Sequence, residues 1–131
     1  MNSGADPMGN RATVLVIDDE PMVRMLIKDV LEEVGYDVVD VADGPTGLKV
    51  IQSDSRIDLL VTDMGLPGGM SGRQVAEAGR EARPNLKVLF VTGYAQTTML
   101  DADFNQSSTQ VIGKPFNFEA LQNKVREMIG T

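Results

Sequence analysis

The chain has 131 residues and a formal net charge of −7, with 42% apolar and 24% charged residues. That is an ordinary balance for one domain with one core. It holds no cysteine and no histidine, which excludes disulfides, thiolate chemistry and histidine acid–base catalysis and argues against zinc. The acidic balance without a basic stripe argues against nucleic acid. No apolar run reaches membrane-spanning length and no signal pattern opens the chain, so a cytoplasmic location is expected.

Residues 1–11 are small and polar and read as a leader, linker or tag; the domain proper is expected over 12–131. Val14 to Ile17 form an apolar run that ends on Asp18-Asp19-Glu20, the pattern of a buried strand reaching a polar edge. Pro21 suits a first helical turn. Val23, Ile27, Val30 and Val34 then recur at helical spacing with Leu26 and Leu31 beside them, and Gly35 suits the helix end. Asp37 to Val41 reads as a shorter strand. Asp43-Gly44-Pro45 turns the chain into a weak helix carrying Leu48 and Ile51.

Leu59, Leu60 and Val61 form the next buried strand. Gly65 and Pro67 break it, which leaves Asp63 at its carboxyl end, expected open to solvent. Ser71 and Gln74 make a capping box for a helix rich in small residues (Val75, Ala76, Ala78, Gly79, Ala82), ended by Pro84. Val88 to Val91 is a fourth strand, stopping at Thr92-Gly93-Tyr94. Residues 95–108 suggest a short or mobile helix through Met99, Leu100 and Phe104. Val111 and Ile112 belong to the last strand, which ends at Lys114-Pro115. Asn117 caps a final helix whose inner face is expected to carry Phe118, Leu121, Val125 and Met128. The methionines read as ordinary core and loop residues, with Met22, Met25 and Met128 at or near inner faces.

Strands alternating with helices imply a parallel sheet with helices on both faces. Such sheets bind ligands at the carboxyl ends of their strands. Asp18, Asp19, Asp63, Thr92 and Lys114 all fall at those ends, on four strands far apart in sequence. Taken singly each has a bland reading: acidic caps for Asp18 and Asp19, a backbone-bonded hydroxyl for Thr92, a solvated cation for Lys114. Together they form a site. Three carboxylates in one crevice need a proton or a cation, and oxygen ligands alone favour Mg²⁺ or Mn²⁺. Asp63 can then be both ligand and nucleophile, forming an aspartyl phosphate. Lys114 and Thr92 are of the right kind to receive charge on phosphoryl oxygens. A cis Lys114–Pro115 bond would aim the lysine into the crevice.

In their order and spacing, Val14 to Glu20, Asp58 to Pro67, Gly68-Gly69-Met70-Ser71-Gly72, Leu89 to Ala95 and Lys114-Pro115-Phe116 resemble the receiver domain of two-component response regulators, from about Thr13 to Ile129. The resemblance implies a doubly wound, flavodoxin-like sheet of five parallel strands in the order 2-1-3-4-5. It implies Asp63 as phosphoacceptor, Asp18 and Asp19 organising Mg²⁺, and the Gly65 carbonyl completing the ligands. Thr92 would hydrogen-bond the phosphoryl group and Lys114 would pair with it. The donor would be a phosphohistidine on a histidine kinase or a histidine phosphotransfer protein. The domain would then catalyse only its own phosphorylation and slow dephosphorylation. Output would pass through the fourth helix, fifth strand and fifth helix to a downstream protein.

The family's switch aromatic falls at Val111, so that half of the switch is altered, and the fourth helix matches poorly. Tyr94 reads as a partly exposed aromatic near the site. The glycine-rich loop at 68–72 and Thr92-Gly93-Tyr94-Ala95 resemble receivers of hybrid sensor histidine kinases, which favours a piece of such a kinase over a single-domain regulator. Two other readings compete. A Mg²⁺-dependent phosphohydrolase of the haloacid dehalogenase type would place a second Asp where Gly65 stands. A non-phosphorylated docking module would not be expected to keep the whole acidic cluster.

Overall fold

In the computed structural model, residues 11–66, 69–93 and 108–130 are described. Five strands, β1 (Thr13–Ile17), β2 (Asp37–Val41), β3 (Leu59–Asp63), β4 (Val88–Thr92) and β5 (Thr109–Gly113), form one parallel sheet in the order β2-β1-β3-β4-β5. The register pairs Val14 with Leu59, Leu60 with Val88 and Val88 with Thr109. β3, which carries Asp63, is the central strand. Helices α1 (Pro21–Glu33), α2 (Gly44–Gln52), α3 (Gly72–Ala82) and a C-terminal helix (Phe118–Ile129) join or follow the strands. The expected fourth helix and Tyr94 fall on 94–107, outside the described residues.

Alternation along each strand splits the core into two layers. Val14, Val16, Leu59, Val61, Leu89 and Val91 face α1 and the C-terminal helix, where Ile27, Leu31, Leu121 and Val125 meet them. Leu15, Ile17, Leu60, Val88 and Phe90 face α2 and α3, against Ile51, Val75 and Ala76. The continuous apolar runs are the signature of this two-sided burial.

The helix boundaries follow their local chemistry. Pro21 opens α1, and Gly35 follows its end at φ +99°, a left-handed conformation that favours glycine. Asp43 caps α2 by accepting from the Thr46 N–H at 2.8 Å. Ser71 and Gln74 complete the capping box of α3, and Asn117 caps the C-terminal helix. Arg11, expected in the leader, donates to the Gly35 carbonyl at 2.9 Å and pairs with Asp37.

Three side chains expected inside lie outside. Met22 is 85% exposed, Met25 62% and Phe118 50%. The buried arc of α1 is Ile27, Val30 and Leu31, and Met22 and Met25 fall outside it at 3.6 residues per turn. Leu121, Val125 and Met128 are the buried arc of the C-terminal helix, which leaves Phe118 at its first position beyond the sheet. Met128 is buried as expected.

Candidate functional site

The carboxyl edge of the sheet gathers what the sequence scattered. Asp18 follows β1 directly and is 1% exposed. Its N–H donates to the Val41 carbonyl at 3.2 Å, and its Oδ1 accepts from the Glu20 N–H at 2.9 Å. Asp63 closes β3. Its side chain is 13% exposed, half-buried where the sequence suggested an open position, because the neighbouring strands and Lys114 crowd it. Its Oδ1 accepts from the Gly65 N–H at 2.9 Å and its Oδ2 from Lys114 Nζ at 2.8 Å. Both oxygens are thereby oriented. Asp19 is exposed, and one carboxylate oxygen from each of Asp18, Asp19 and Asp63 lies within 4.8 Å of the others.

Lys114 reaches three carboxylates, with Asp63 at 2.8 Å, Asp18 at 3.6 Å and Glu20 at 3.9 Å. Its backbone N–H donates to the Thr92 carbonyl at 2.7 Å, and the Lys114–Pro115 bond is cis. Burial alone would lower the ammonium's pKa. The hydrogen bond to Asp63 and the charges of Asp18, Asp63 and Glu20 outweigh it and hold the pKa above the usual lysine value. For Asp18 the balance reverses. Burial raises its pKa, and the Glu20 N–H and Lys114 only partly offset this, while Asp63 and Asp19 push the same way as burial.

Asp18 Oδ2 is buried without a hydrogen-bond partner among the described residues. The Lys114 ammonium lies 3.6 Å from this oxygen, too far for a hydrogen bond, and it is shared with Asp63 and Glu20, so three clustered carboxylates remain under-compensated. The donor set is all hard oxygen, with neither imidazole nor thiolate, and so fits a divalent cation of the magnesium or manganese kind.

Thr92 ends β4 and is fully buried, one position beyond Val91, the register partner of Asp63. Gly65 sits exposed in the turn after β3. Val111 pairs with Phe90 and packs half-buried on the α2–α3 side. The geometry also brings in two residues to which the sequence reading gave no role. Glu20 is the third acid after β1, and its adjacency to Asp18 and Asp19 was the available signal. Gly72 opens α3 against the Asp63 backbone, where an added Cβ would collide with the Asp63 carbonyl oxygen. Only a glycine permits that approach.

Residues 14–126 match the response regulator receiver domain. The chain belongs to this family. Among its relatives, the receiver domain is 32% identical to the response regulator receiver protein CpdR of Brucella abortus, covering 88% of this chain and 94% of that one. It is 31% identical to the sensor kinase CckA of the same organism, covering 95% of this chain but 13% of the kinase. The crystal structure of a response regulator receiver protein from Sinorhizobium medicae superposes with a TM-score of 0.82 at 26% identity, over 93% of this chain and 97% of that one. The strand order expected from the sequence is the order observed, and this is a receiver domain of two-component signalling. None of the helices among the described residues is long and apolar enough to cross a membrane.

Proposed function

We propose that this receiver domain accepts a phosphoryl group on Asp63 from a phosphohistidine of a histidine kinase or histidine phosphotransfer protein. The observation that carries the reading is the half-buried Asp63 carboxylate, held at both oxygens and placed within 4.8 Å of the Asp18 and Asp19 carboxylates. A carboxylate oxygen attacks phosphorus, the P–N bond to the donor imidazole breaks as the P–O bond forms, and the leaving ring nitrogen takes a proton. The product is an aspartyl phosphate. Water later attacks phosphorus, regenerates the carboxylate and releases phosphate.

Lys114 stands where it neutralises charge on the transferred group, and the Thr92 hydroxyl is the donor proposed for a phosphoryl oxygen. Asp18, Asp19, Asp63 and the Gly65 carbonyl would hold Mg²⁺ or Mn²⁺, whose charge offsets that of the carboxylates and of the phosphoryl oxygens. Gly65 stands where a phosphohydrolase of the haloacid dehalogenase type would place its second Asp, which argues against that reading.

The setting suits a protein donor. Val23, Leu26, Pro115 and Phe116 line a shallow apolar concavity that includes Lys114, and Met22 and Met25 extend the apolar surface along α1. A partner helix seated there would bring its phosphohistidine to the crevice. Output is proposed to pass to a downstream protein through the expected fourth helix, which lies outside the described residues, with β5 and the C-terminal helix, and with Val111 replacing the switch aromatic. The parent is proposed to be a hybrid sensor kinase or a single-domain regulator of the cytoplasm, since relatives of both kinds match.

Intact mass after incubation with acetyl phosphate and Mg²⁺ tests the assignment. One phosphoryl group on the parent, none on Asp63→Asn and none after chelation of the metal are expected. An adduct that survives Asp63→Asn would sink it, and steady turnover of a phosphate ester would favour a hydrolase instead.

A further inference from the structure

The two carboxylates that follow β1 are only as well placed as the peptide joining them. Asp18 spends its groups almost completely. Its N–H goes to Val41, its Oδ1 accepts from Glu20, and its own carbonyl accepts from Arg24 Nη1 at 2.8 Å. That leaves Oδ2, which has no hydrogen bond among the described residues and lies 3.6 Å from Lys114 Nζ. Arg24 lies one turn into α1, where its N–H donates to the Glu20 carbonyl at 2.9 Å. Its Nε is held by Asp40 Oδ2 at 3.2 Å, on the edge strand β2, and Lys28 approaches the other Asp40 oxygen at 3.7 Å. One planar guanidinium thus ties the β1–α1 turn to β2 through two acceptors in a fixed fork, which an ammonium does not reproduce.

We infer that Arg24 is a positioning residue of the acidic site. By gripping the Asp18 carbonyl it sets the Asp18–Asp19 peptide plane, and through it the spacing of the Asp18 and Asp19 carboxylates for a divalent cation. This rests on reading the cluster as a cation site. Arg24 touches none of the three carboxylates in its hydrogen bonds, and its charge is met by Asp40. It therefore acts through the backbone. Residues that orient ligands from behind typically change metal affinity by about 10- to 100-fold when lost.

Charge and position make opposite demands here, which gives the test its power. Removing a positive charge near a cation site would tighten binding by electrostatics alone. Loss of the carbonyl grip loosens it. Mn²⁺ binding is read from the free-ion electron paramagnetic resonance signal for the parent, Arg24→Met, Arg24→Lys and Lys28→Gln, with the melting temperature of each in metal-free buffer. Arg24→Met is expected to bind about 10-fold more weakly, with Arg24→Lys between it and the parent. Lys28→Gln, which removes a charge from the other side of Asp40, should stay within about 2-fold.

Equal or tighter binding by Arg24→Met overturns the inference, as does an equal loss in Lys28→Gln. A lowered melting temperature with unchanged Mn²⁺ affinity assigns Arg24 to stability alone and also overturns it. Should Arg24→Met not fold, Arg24→Lys decides by the same criterion. A parent that binds no Mn²⁺ fails the cation reading itself, an outcome distinct from a parent that binds and variants that bind as well.

Discussion

The two ends of the sheet use the same residue types to opposite purpose. At the amino end Arg56, Asp58, Arg80, Arg83 and Lys87 each have a partner in the fold. Asp58 accepts from the Thr13 N–H at 2.7 Å and from Arg56 at 2.9 Å, and Lys87 donates to the Met128 carbonyl at 2.6 Å. Arg80 ties α3 to the Leu86 and Ser108 carbonyls and the Thr109 hydroxyl, and Arg83 covers the end of α2 through the Ile51 and Ser53 carbonyls. At the carboxyl end three carboxylates, those of Asp18, Glu20 and Asp63, crowd one ammonium, and the buried Asp18 Oδ2 has no hydrogen-bond partner among the described residues. Satisfied charges hold a structure together, whereas under-compensated ones are available to a ligand. The concavity at the amino end, lined by Asp58, Arg83 and Lys87, offers groups already spent on the fold. It is the acidic cluster around Asp63 whose charges the fold leaves under-compensated.

That contrast breaks if the two ends respond alike to the loss of a charge. The largest stability effect is expected at the amino end. Arg80→Ala removes three hydrogen bonds and leaves carbonyls without a donor, a loss of about 2–3 kcal/mol by chemical denaturation. A loss below about 0.5 kcal/mol would show those bonds to be replaceable by water.

Gly72→Ala sharpens the role of local geometry. Its methyl group meets the Asp63 backbone, which has nowhere to move, so a loss of about 1–3 kcal/mol is expected. Phosphorylation should slow with it, because Asp63 is displaced. A variant of parental stability and rate would remove that account.

The carboxyl end should respond with the other sign. Asp18→Asn deletes a buried charge that burial and two neighbouring carboxylates disfavour, so the metal-free protein is expected to gain on the order of 1 kcal/mol. Mg²⁺ is expected to raise the stability of the parent through the proposed cation site, and to add none to this variant. Destabilisation in metal-free buffer would mean that Asp18 is a structural residue like those at the opposite end.

The smallest effect is at a surface cap. The Asp43 carboxyl is held below its ordinary pKa by the Thr46 backbone N–H. A depressed carboxylate stabilises the fold above its unfolded pKa and loses that contribution as pH falls through the folded value, below 3.8. Asn caps as well but carries no charge. Asp43→Asn should match the parent near neutral pH and lose less of its melting temperature between about pH 5 and pH 2. Parallel acid profiles would count against the cap.

The sequence by itself determined the architecture, because five apolar runs of strand length alternating with helical periods leave a parallel sheet as the economical solution. It also placed the candidate site residues together, since a parallel sheet puts every strand's carboxyl end on one edge. Asp18, Asp19, Asp63, Thr92 and Lys114 end or directly follow four strands, so register and topology bring them together. The caps at Asp43, Ser71 and Asn117 were legible because they act within one turn.

What only the tertiary structure decided are contacts between elements whose separation in sequence carries no period. The Arg24–Asp40 pair bridges a helix and an edge strand that meet only after the sheet closes. Gly72 is required by the approach of α3 to a carbonyl 9 residues earlier in the chain. Exposure, too, was settled by packing. Phe118 shares the helical period of Leu121, Val125 and Met128 yet is exposed at the first position of its helix, and Met22 and Met25 lie off the arc that α1 buries. Asp63 is enclosed because Lys114 crosses from β5 to meet it. A period states which residues share a face; the neighbour a face receives depends on how the layers stack.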